Sequence, residues 1–272
     1  TVLLFYDAEF GTPQAYFESF GIDMDRVVHT PITNVEELKF DIAHQLDSIT
    51  KAEKVIIVID SIGNLASKKE VADALDGKSV ADMSRAKALK SLFRIVTPHL
   101  NLKDIPLIAV NHTYQEIGLF PKAVVSGGTG IYYSADAIWI IGRQQEKEGT
   151  EIAGYNFIIN VEKSRYIKEK SKIPVTVKFE GGIDKWSGLL DMALDAGCLS
   201  QSGAWYQKVD LKTGEVLDKK YRAKQLNTSE VWLPILQSET FVNYLADRYA
   251  ISSGDIMPDA EVLETLLEST DD

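Results

Sequence analysis

The sequence predicts an α/β fold with a mainly parallel sheet, an antiparallel extension and a small C-terminal α/β region. Predicted strands and helices alternate up to about residue 142, and strands dominate after it, which is typical of a parallel sheet with added antiparallel strands. Val55–Ile59 is an unbroken, mostly β-branched run, as in a strand that is buried on both faces. Val2–Tyr6 and Ile105–Val110 are further apolar runs of this length.

Turn and capping residues set the limits of the N-terminal elements. Pro13 favours the start of a helix over 14–20, which Gly21 closes. Asn34 begins the next helix, with Glu37 three residues on as a capping box. Apolar residues at 38, 42, 46 and 49 share one face of that helix.

The later elements follow from the same signals. Pro98 is expected to end a helix over 86–96. Residues 66–85 and 113–130 are polar or glycine-rich and predict two long loops. The remaining predicted elements are strands at 27–30, 137–141, 155–162 and 173–179, a helix over 189–196 and a hairpin over 205–216.

Length and composition limit the class of protein. The chain has 272 residues, and we expect a core at 1–182, a small domain at 183–254 and an acidic tail at 255–272. Its 45% hydrophobic and 25% charged residues are ordinary for a soluble globular protein. No apolar run is long enough to span a bilayer, so no membrane partner is expected. A single cysteine, Cys198, excludes an internal disulfide and fits a reducing cytoplasm.

Charge is unevenly distributed along the chain. The net charge of −11 argues against a protein that coats nucleic acid over its whole surface. Residues 160–178 nevertheless carry six basic side chains against two acidic ones, whereas 255–272 carry seven acidic side chains and no basic one. Because a phosphate responds to the local field, the acidic total is compatible with a nucleic-acid site.

Polar side chains follow four of the predicted strands. They are Asp7 and Glu9, Asp60 and Ser61, Asn111 and His112, and Lys163 and Arg165. The carboxyl ends of parallel strands share one edge of the sheet, where open α/β sheets bind ligands. Together these residues offer a metal-directed carboxylate, a general base, a sensor and cations, which phosphoryl transfer requires. Strand ends are often polar for structural reasons alone, but four in sequence favour a site.

A phosphate loop of the form G-x-x-x-x-G-K-[ST] is absent from the sequence. Gly77-Lys78-Ser79 matches only its end, Ala72 stands where its first glycine would be, and no strand precedes the segment. Without the amides and lysine of such a loop, the chain is not expected to hold a triphosphate in the usual way.

The two long predicted loops have features of a single-stranded nucleic-acid site. Lysine or arginine contacts phosphates in such sites, and exposed aromatic rings contact bases. The candidate contacts are Lys68, Lys69, Lys78, Arg85, Phe120, Lys122, Gly127 and Gly128. Each lysine taken singly is also consistent with a solvated surface charge.

Several segments resemble RecA-type recombinases in their order and spacing. They are YDAEFG, VIIVIDSIGNLASKK, NHTYQEIGLF, SGGTGIYYSAD and VEKSR. IDSIGNLASKK, SLFRIVTP and VEKSR with the following KEKSK are most similar to the UvsX branch of T-even bacteriophages. The resemblance covers residues 2 to about 200, and it implies a RecA-like ATPase core that uses ATP and Mg²⁺.

The resemblance implies a role for each residue at the nucleotide. Glu9 matches the glutamate that activates the attacking water. Tyr16 matches the tyrosine that stacks on adenine, although its spacing from Glu9 is one residue shorter than in the family. Asp60 matches the Walker B aspartate that serves Mg²⁺, Ser61 follows it as in the family, and Asn111 matches a family asparagine.

Further positions match the sensor, the neighbouring subunit and the DNA loops. His112 stands where bacterial RecA has the glutamine that senses the γ-phosphate. Lys163 and Arg165 match two cations that reach a neighbour's ATP across the filament interface, and arginine at 165 replaces a lysine and changes the donor geometry. Residues 67–85 and 113–130 match the first and second DNA loops.

The implied activity is that of a DNA-dependent ATPase that forms filaments on single-stranded DNA. Such a recombinase promotes homologous pairing and strand exchange in phage recombination, repair and replication, in the cytoplasm of the infected host. The implied partners are single- and double-stranded DNA, further copies of the chain, a phage single-strand-binding protein and the UvsY mediator. Two alternatives remain: a non-catalytic DNA-binding or filament-capping fragment, and a hexameric helicase of RecA fold.

The start of the chain is unlike the start of a family member. Thr1 is not a methionine, and a buried-type strand begins at Val2. In the family, an oligomerisation segment and the phosphate loop precede this strand. We therefore expect the sequence to be the downstream part of a recombinase.

Overall fold

A computed structural model describes residues 1–78, 84–117 and 122–251. The chain divides into two compact units, Thr1–Asp136 and Ala137–Asp272, and each is described by itself. The domain limits predicted at 182 and 254 stay predictions, and the acidic tail at 255–272 lies outside the described residues. Among those described residues, no helix has the length and apolar character needed to cross a membrane.

A parallel sheet organises the first unit, as the sequence predicts. Its spatial order is β2-β1-β3-β4. The strands are β1 (Val2–Asp7), β2 (Val27–Pro31), β3 (Val55–Asp60) and β4 (Leu107–Ala109). In the register of the two central strands, Asp7 stands opposite Asp60. The predicted alignment of polar strand ends is therefore present for β1 and β3.

The first unit contains helices beside this sheet. They are α1 (Gln14–Ser19), α2 (Val35–Ser48), α3 (Lys68–Leu75), α4 (Ser84–Lys103) and α5 (Thr129–Ser134). Of these, α2, α4 and α5 place apolar side chains in the buried core, whereas α3 has no buried residue. Four fully buried residues of α2, Val35, Leu38, Ile42 and Leu46, join the core of the unit. Burial of this stripe, at helical spacing, is what stabilises a helix of this length in water.

The start of α2 differs in one contact from the predicted capping box. Asn34 accepts a hydrogen bond from the Glu37 N–H at 2.9 Å, as expected of an N-cap. The Glu37 carboxylate, however, accepts from the N–H and hydroxyl of Thr33, at 3.0 and 2.8 Å, rather than from Asn34. The reciprocal bond has shifted back by one residue because the Thr33 hydroxyl adds a second donor there.

Helix α4 continues past Pro98, so the predicted end before this residue is wrong. Proline removes one backbone donor and disfavours a helix locally. Leu89, Leu92, Phe93 and Val96 are buried on one side of the helix. Tertiary burial of this face outweighs the cost of the proline, and the helix extends to Lys103.

Both predicted long loops contain regular structure. In the first, Ser67 caps α3 in a capping box with Glu70. In the second, β5 (Thr113–Gln115) pairs antiparallel with β6 (Ala123–Val125). The prediction of structureless loops over 66–85 and 113–130 is therefore wrong for these parts, since polar and glycine-rich composition hid a capped helix and a short ladder.

The second unit contains two antiparallel sheets. The larger has the order β10-β9-β8-β7 and the smaller the order β11-β12-β13. Their strands are β7 (Ala137–Glu148), β8 (Glu151–Ser164), β9 (Lys172–Lys178), β10 (Gly182–Ile183), β11 (Leu199–Ser202), β12 (Trp205–Val209) and β13 (Val216–Tyr221). The predicted antiparallel region and the hairpin are confirmed, and β7 and β8 extend well beyond the predicted strands.

Short helices complete the second unit around a core of its own. They are α6 (Leu189–Asp195), α7 (Ala223–Leu226), α8 (Ser229–Leu236) and α9 (Glu239–Tyr249). Trp232 and Phe241 are the largest fully buried side chains of this core. The α/β class predicted from the sequence is confirmed.

Candidate functional site

Asp7 anchors the loop that follows β1. The residue is buried, with only 3% of its surface exposed. One carboxylate oxygen accepts hydrogen bonds from the N–H groups of Glu9 and Phe10, at 3.1 and 2.7 Å, and the other lies 3.1 Å from Nε2 of His29. These contacts fix the backbone that carries Glu9 beyond the end of the strand.

Glu9 is held by two donors from the segment after β3. Ser61 donates its hydroxyl to one carboxylate oxygen at 2.5 Å, and the amide of Asn64 donates to the other at 2.6 Å. Nε2 of His112 lies 3.9 Å from the oxygen that Ser61 contacts. The structure thus brings together Glu9, Ser61 and His112, three predicted site residues from three segments, and adds Asn64.

Asp60 lies in the electrostatic field of this cluster. Partial burial raises the pKa of its carboxyl, and the negative charges of Glu9 and Asp7 add to this effect, while His112 opposes it. The peptide bond between Asp60 and Ser61 is cis. Several carboxylates close together favour a cation, because a positive charge offsets their mutual repulsion.

Asn111 and His112 are tied to the segment before the glycine pair. The Asn111 amide donates to the Ser126 carbonyl at 2.7 Å, and its oxygen accepts from the His112 N–H at 2.9 Å. The Ser126 N–H in turn donates to the His112 carbonyl at 2.9 Å. The predicted sensor and the end of the second predicted DNA loop therefore share one hydrogen-bonded unit.

Glycines occupy positions next to this hydrogen-bonded unit where neighbouring side chains leave little space. A Cβ at Gly63 would lie 2.7 Å from Cγ and Nδ1 of His112. Gly127, at φ +95°, would place a Cβ 2.4 Å from Ile131, and Gly128 adopts φ +85° at the start of α5. The glycines at 127 and 128 thus serve backbone conformations that other residues rarely adopt.

Arg85, at the start of α4, contacts the backbone of the turn that follows β3. Its Nε donates to the Leu65 carbonyl at 2.7 Å, and Nη2 donates to the carbonyls of Ile62 and Gly63, each at 2.8 Å. Its Nη1 lies 3.5 Å from the hydroxyl of Ser126. The predicted DNA contact of Arg85 stays a prediction, but three of its hydrogen bonds go to backbone carbonyls.

The predicted DNA-binding lysines lie on exposed parts of the first unit. Lys68 and Lys69 begin α3, and Nζ of Lys69 lies 2.5 Å from Asp73. Lys78 pairs with Asp76 at 2.8 Å and keeps 57% of its side chain exposed. Lys122 precedes β6 and is exposed, whereas Phe120 lies outside the described residues.

Three further predicted site residues lie on other elements of the chain. Tyr16 lies on α1 with 57% of its surface exposed, in an edge-to-face contact with Phe20 at 5.1 Å. Lys163 belongs to β8, a strand of an antiparallel sheet in the second unit, and Arg165 lies in the turn that follows it. The prediction that these two cations follow a strand of the parallel sheet is therefore wrong. Ser164 accepts from the backbone N–H groups of Tyr166 and Ile167 and fixes that turn.

Sequence reasoning missed Asn64, Gly63 and Ser126 as parts of the site. Asn64 lies four residues after Asp60, in the same polar turn as Ser61. That position is the sequence signal from which Asn64 could have been predicted as a site residue. The role of Gly63 depends on a ring 49 positions further along the chain, so no local pattern reveals it. Among the described residues, no group of three or more metal-ligating side chains could hold a metal ion.

Comparison with known proteins assigns the family. A model of the RecA N-terminal domain matches residues 1–184. A model of the C-terminal domain of the bacteriophage T4 recombination and repair protein matches residues 186–245. This chain belongs to the RecA family. The resemblance stated from the sequence motifs is thereby confirmed.

Relatives within the RecA family differ in how much of their length the chain covers. The recombination and repair protein of Enterobacteria phage T4 is 50% identical over 97% of this chain and 70% of its own length. Protein RecA of Bacteroides thetaiotaomicron is 27% identical over 80% of the chain and 65% of its own length. Protein RecA of Tropheryma whipplei is 26% identical, and the chain spans 48% of its length.

Proposed function

We propose that this RecA-family chain provides the DNA-binding and ATP-hydrolysing residues of a phage recombinase. The observation that carries the proposal is the Glu9 carboxylate, oriented by Ser61 and Asn64 at the edge of a parallel sheet. The family assignment and the T4 relative, a recombination and repair protein, support recombination as the role. They do not favour a capping fragment or a ring helicase.

Glu9 has the surroundings of a general base. Both of its oxygens accept hydrogen bonds, so the carboxylate is fixed in direction, and it keeps 35% of its side-chain surface exposed. An oriented, accessible carboxylate can take a proton from a water molecule as that water attacks phosphorus. Ser61 and Asn64 have the role of holding this base in place.

We assign Asp60 to a magnesium ion as a single carboxylate ligand, since Mg²⁺ is usually held by one or two carboxylates together with substrate phosphates and needs no larger cluster of protein ligands. The raised pKa of Asp60 reflects burial and two carboxylate neighbours, and a divalent cation would relieve this repulsion. Bound Mg²⁺ would neutralise phosphate charge during transfer. ATP fits less completely, because the sequence contains no phosphate loop, whose amides and lysine would cradle a triphosphate.

We assign to His112 the role of reporting the state of the nucleotide. Its ring reaches towards Glu9 on one side, and its backbone is bonded to Ser126 on the other. Ser126 directly precedes Gly127 and Gly128, which we assign to the second DNA loop together with Lys122 and Phe120. A displacement of the ring would therefore act on the backbone of that loop.

The remaining assignments concern contacts with DNA, with ATP and with neighbouring copies in a filament. Lys68, Lys69 and Lys78 of the first loop would contact phosphates, and Tyr16 would stack on adenine. Lys163 and Arg165 would reach the ATP of a neighbouring copy. Single- and double-stranded DNA, a phage single-strand-binding protein and a mediator are the proposed partners, in the host cytoplasm.

The test is DNA-stimulated ATP hydrolysis. It compares the chain alone with an extended form, in which a family segment carrying the phosphate loop precedes Thr1. We expect hydrolysis only from the extended form, and a loss of about 10²-fold or more in kcat for Glu9→Gln. Glu18→Gln, at an exposed position of α1, is the matched control. Intact DNA binding with no hydrolysis by the extended form would contradict the proposal and favour a binding module.

A further inference from the structure

Arg85 connects the first turn of α4 to the turn 62–65 that follows β3. Its guanidinium donates three hydrogen bonds of 2.7 to 2.8 Å to the carbonyls of residues 62, 63 and 65. The Ile62 N–H is bound in addition to the Val110 carbonyl at 2.9 Å, just before Asn111. Arg85 thus holds a short segment whose other side is fixed to the end of β4.

The turn held by Arg85 supports both polar groups of the candidate site. Gly63 lies against the imidazole of His112, so a shift of its backbone moves the surface on which the ring packs. Asn64 donates to Glu9 at 2.6 Å, so a shift of the same turn also moves a donor to the base. Arg85 itself is partly buried, and its three short hydrogen bonds go to the turn rather than to Glu9 or His112.

Arginine suits this task better than lysine. Its planar group offers five N–H donors in a fixed fork, and here two of its nitrogens serve three carbonyls that point in related directions. A lysine ammonium would keep the charge but could not satisfy this set with the same geometry. Carbonyls left without a donor in a partly buried turn cost free energy, so the turn would rearrange.

We propose that Arg85 is a positioning residue of the Glu9–His112 site. The inference rests on the proposed function for the meaning of the site. Arg85 lies at the start of α4, as the last residue of the segment matched to the first DNA loop, and through Ser126 it also approaches the second. It therefore relays the position of the loop region to the base and the sensor.

The test compares Arg85→Lys and Arg85→Gln with Lys87→Gln, which removes one charge from an exposed position of the same helix. Hydrogen exchange of the chain alone is measured at Ile62 and Ser126, whose N–H groups donate to the carbonyls of Val110 and His112. Both Arg85 variants are expected to exchange about tenfold faster there, because the carbonyl contacts that hold the turn are lost. Lys87→Gln is expected to match the unsubstituted chain.

Binding to oligo(dT) at several salt concentrations separates positioning from phosphate contact. Loss of one phosphate contact to single-stranded DNA reduces the slope of log K against log[salt] by about 0.7. Arg85→Lys keeps the charge and is expected to keep the slope, while still exchanging faster at Ile62. Unchanged exchange at Ile62 in both variants would overturn the inference, and a slope reduced by about 0.7 in Arg85→Gln alone would then assign Arg85 to phosphate contact.

In the extended form, Arg85→Lys is expected to lower DNA-stimulated kcat by about tenfold with KM for ATP unchanged, since the base is misplaced. Should Arg85→Gln fail to fold, Arg85→Lys alone decides by the same criteria. Absence of hydrolysis in the unsubstituted extended form would overturn the proposed function, whereas the exchange measurement would still decide whether Arg85 holds the turn.

Discussion

The imidazole of His112 lies directly against Gly63, with so little space that an added Cβ would meet two ring atoms at 2.7 Å. The backbone at Gly63 does not require a positive φ, so the absence of a side chain serves this contact alone. His112 is 52% exposed and its ring can move outward. The contact therefore fixes the direction of the ring from one side.

Gly63→Ala is expected to move the His112 ring with little loss of stability. The clash falls on a side chain that can swing into solvent, so the free energy of unfolding should fall by less than about 1 kcal/mol, below the cost of overpacking a buried core. DNA-stimulated turnover of the extended form should fall about tenfold. Gly142→Ala, where the nearest atom is 3.9 Å from the added Cβ, is the control. Unchanged His112 ring resonances in NMR spectra would refute this prediction.

Asn64 provides a test of how Glu9 is held. Asn64→Ala removes one of the two donors to the carboxylate and should lower kcat of the extended form by about tenfold. Asn64→Asp places a second carboxylate where the amide stood, 2.6 Å from Glu9, so repulsion adds to the lost donor.

The aspartate variant should therefore be less active than the alanine variant at neutral pH. Because the repulsion requires both carboxylates to be ionised, the difference between the two variants should shrink as pH falls. The measurement is kcat as a function of pH for both variants. Equal activity of the two at neutral pH would show that Asn64 does not act through Glu9.

Local sequence signals predict some of this site and cannot predict the rest. Asp60 and Glu9 follow apolar strands, and parallel strand ends share an edge, so their proximity is predictable. Gly63 and Arg85 act through contacts with segments far along the chain, and neither composition nor spacing encodes those contacts. Pro98 shows the converse, since a strong local signal for a helix end is overridden by burial of the α4 face.

The contacts of Glu37 lead us to expect that the stability of the chain depends on pH. Hydrogen bonds from the N–H and hydroxyl of Thr33 lower the pKa of its carboxyl in the folded chain. A lowered pKa in the folded state contributes stability above the ordinary glutamate pKa of about 4.3, and this contribution is lost as pH falls through the folded value.

Glu37→Gln should therefore reduce the free energy of unfolding at neutral pH by less than about 1 kcal/mol, because Glu37 is exposed and solvent weakens its contacts with Thr33. The difference from the unsubstituted chain should shrink in acid, where Glu37 is protonated. Urea unfolding at pH 7 and below pH 4 measures both values, with Glu18→Gln as an exposed control. A difference that does not depend on pH would contradict this explanation.

Cys198 should be chemically inert in the folded chain. Its side chain is 1% exposed, and burial raises the pKa of the thiol, so little thiolate is present at neutral pH. A maleimide should label it only after unfolding, at a rate that increases with denaturant. Cys198→Ala should fold and show no labelling under either condition. Rapid labelling of the native chain would show that the α6–β11 region opens readily.

Substitutions at Lys103 and Lys51 test whether a lysine stabilises the folded chain through specific carbonyl contacts or through its charge alone. Nζ of Lys103 donates to the carbonyls of Leu46 and Ile49, the latter at 2.6 Å, at the C-terminal end of α2. These contacts satisfy helix-end carbonyls and place a cation at the negative end of the helix dipole. Lys51 instead pairs with Asp104 at 3.1 Å, where both side chains are about 70% exposed.

Lys103→Met should lower the free energy of unfolding by about 1.5–3 kcal/mol, the range of hydrogen bonds to charged groups. Lys51→Met should change it by less than about 0.5 kcal/mol, because an exposed ion pair is screened by solvent and salt. Both variants lose one positive charge and keep a long apolar side chain, so the difference between them isolates the carbonyl contacts. Equal effects in urea unfolding would mean that Lys103 contributes through general charge rather than by closing α2.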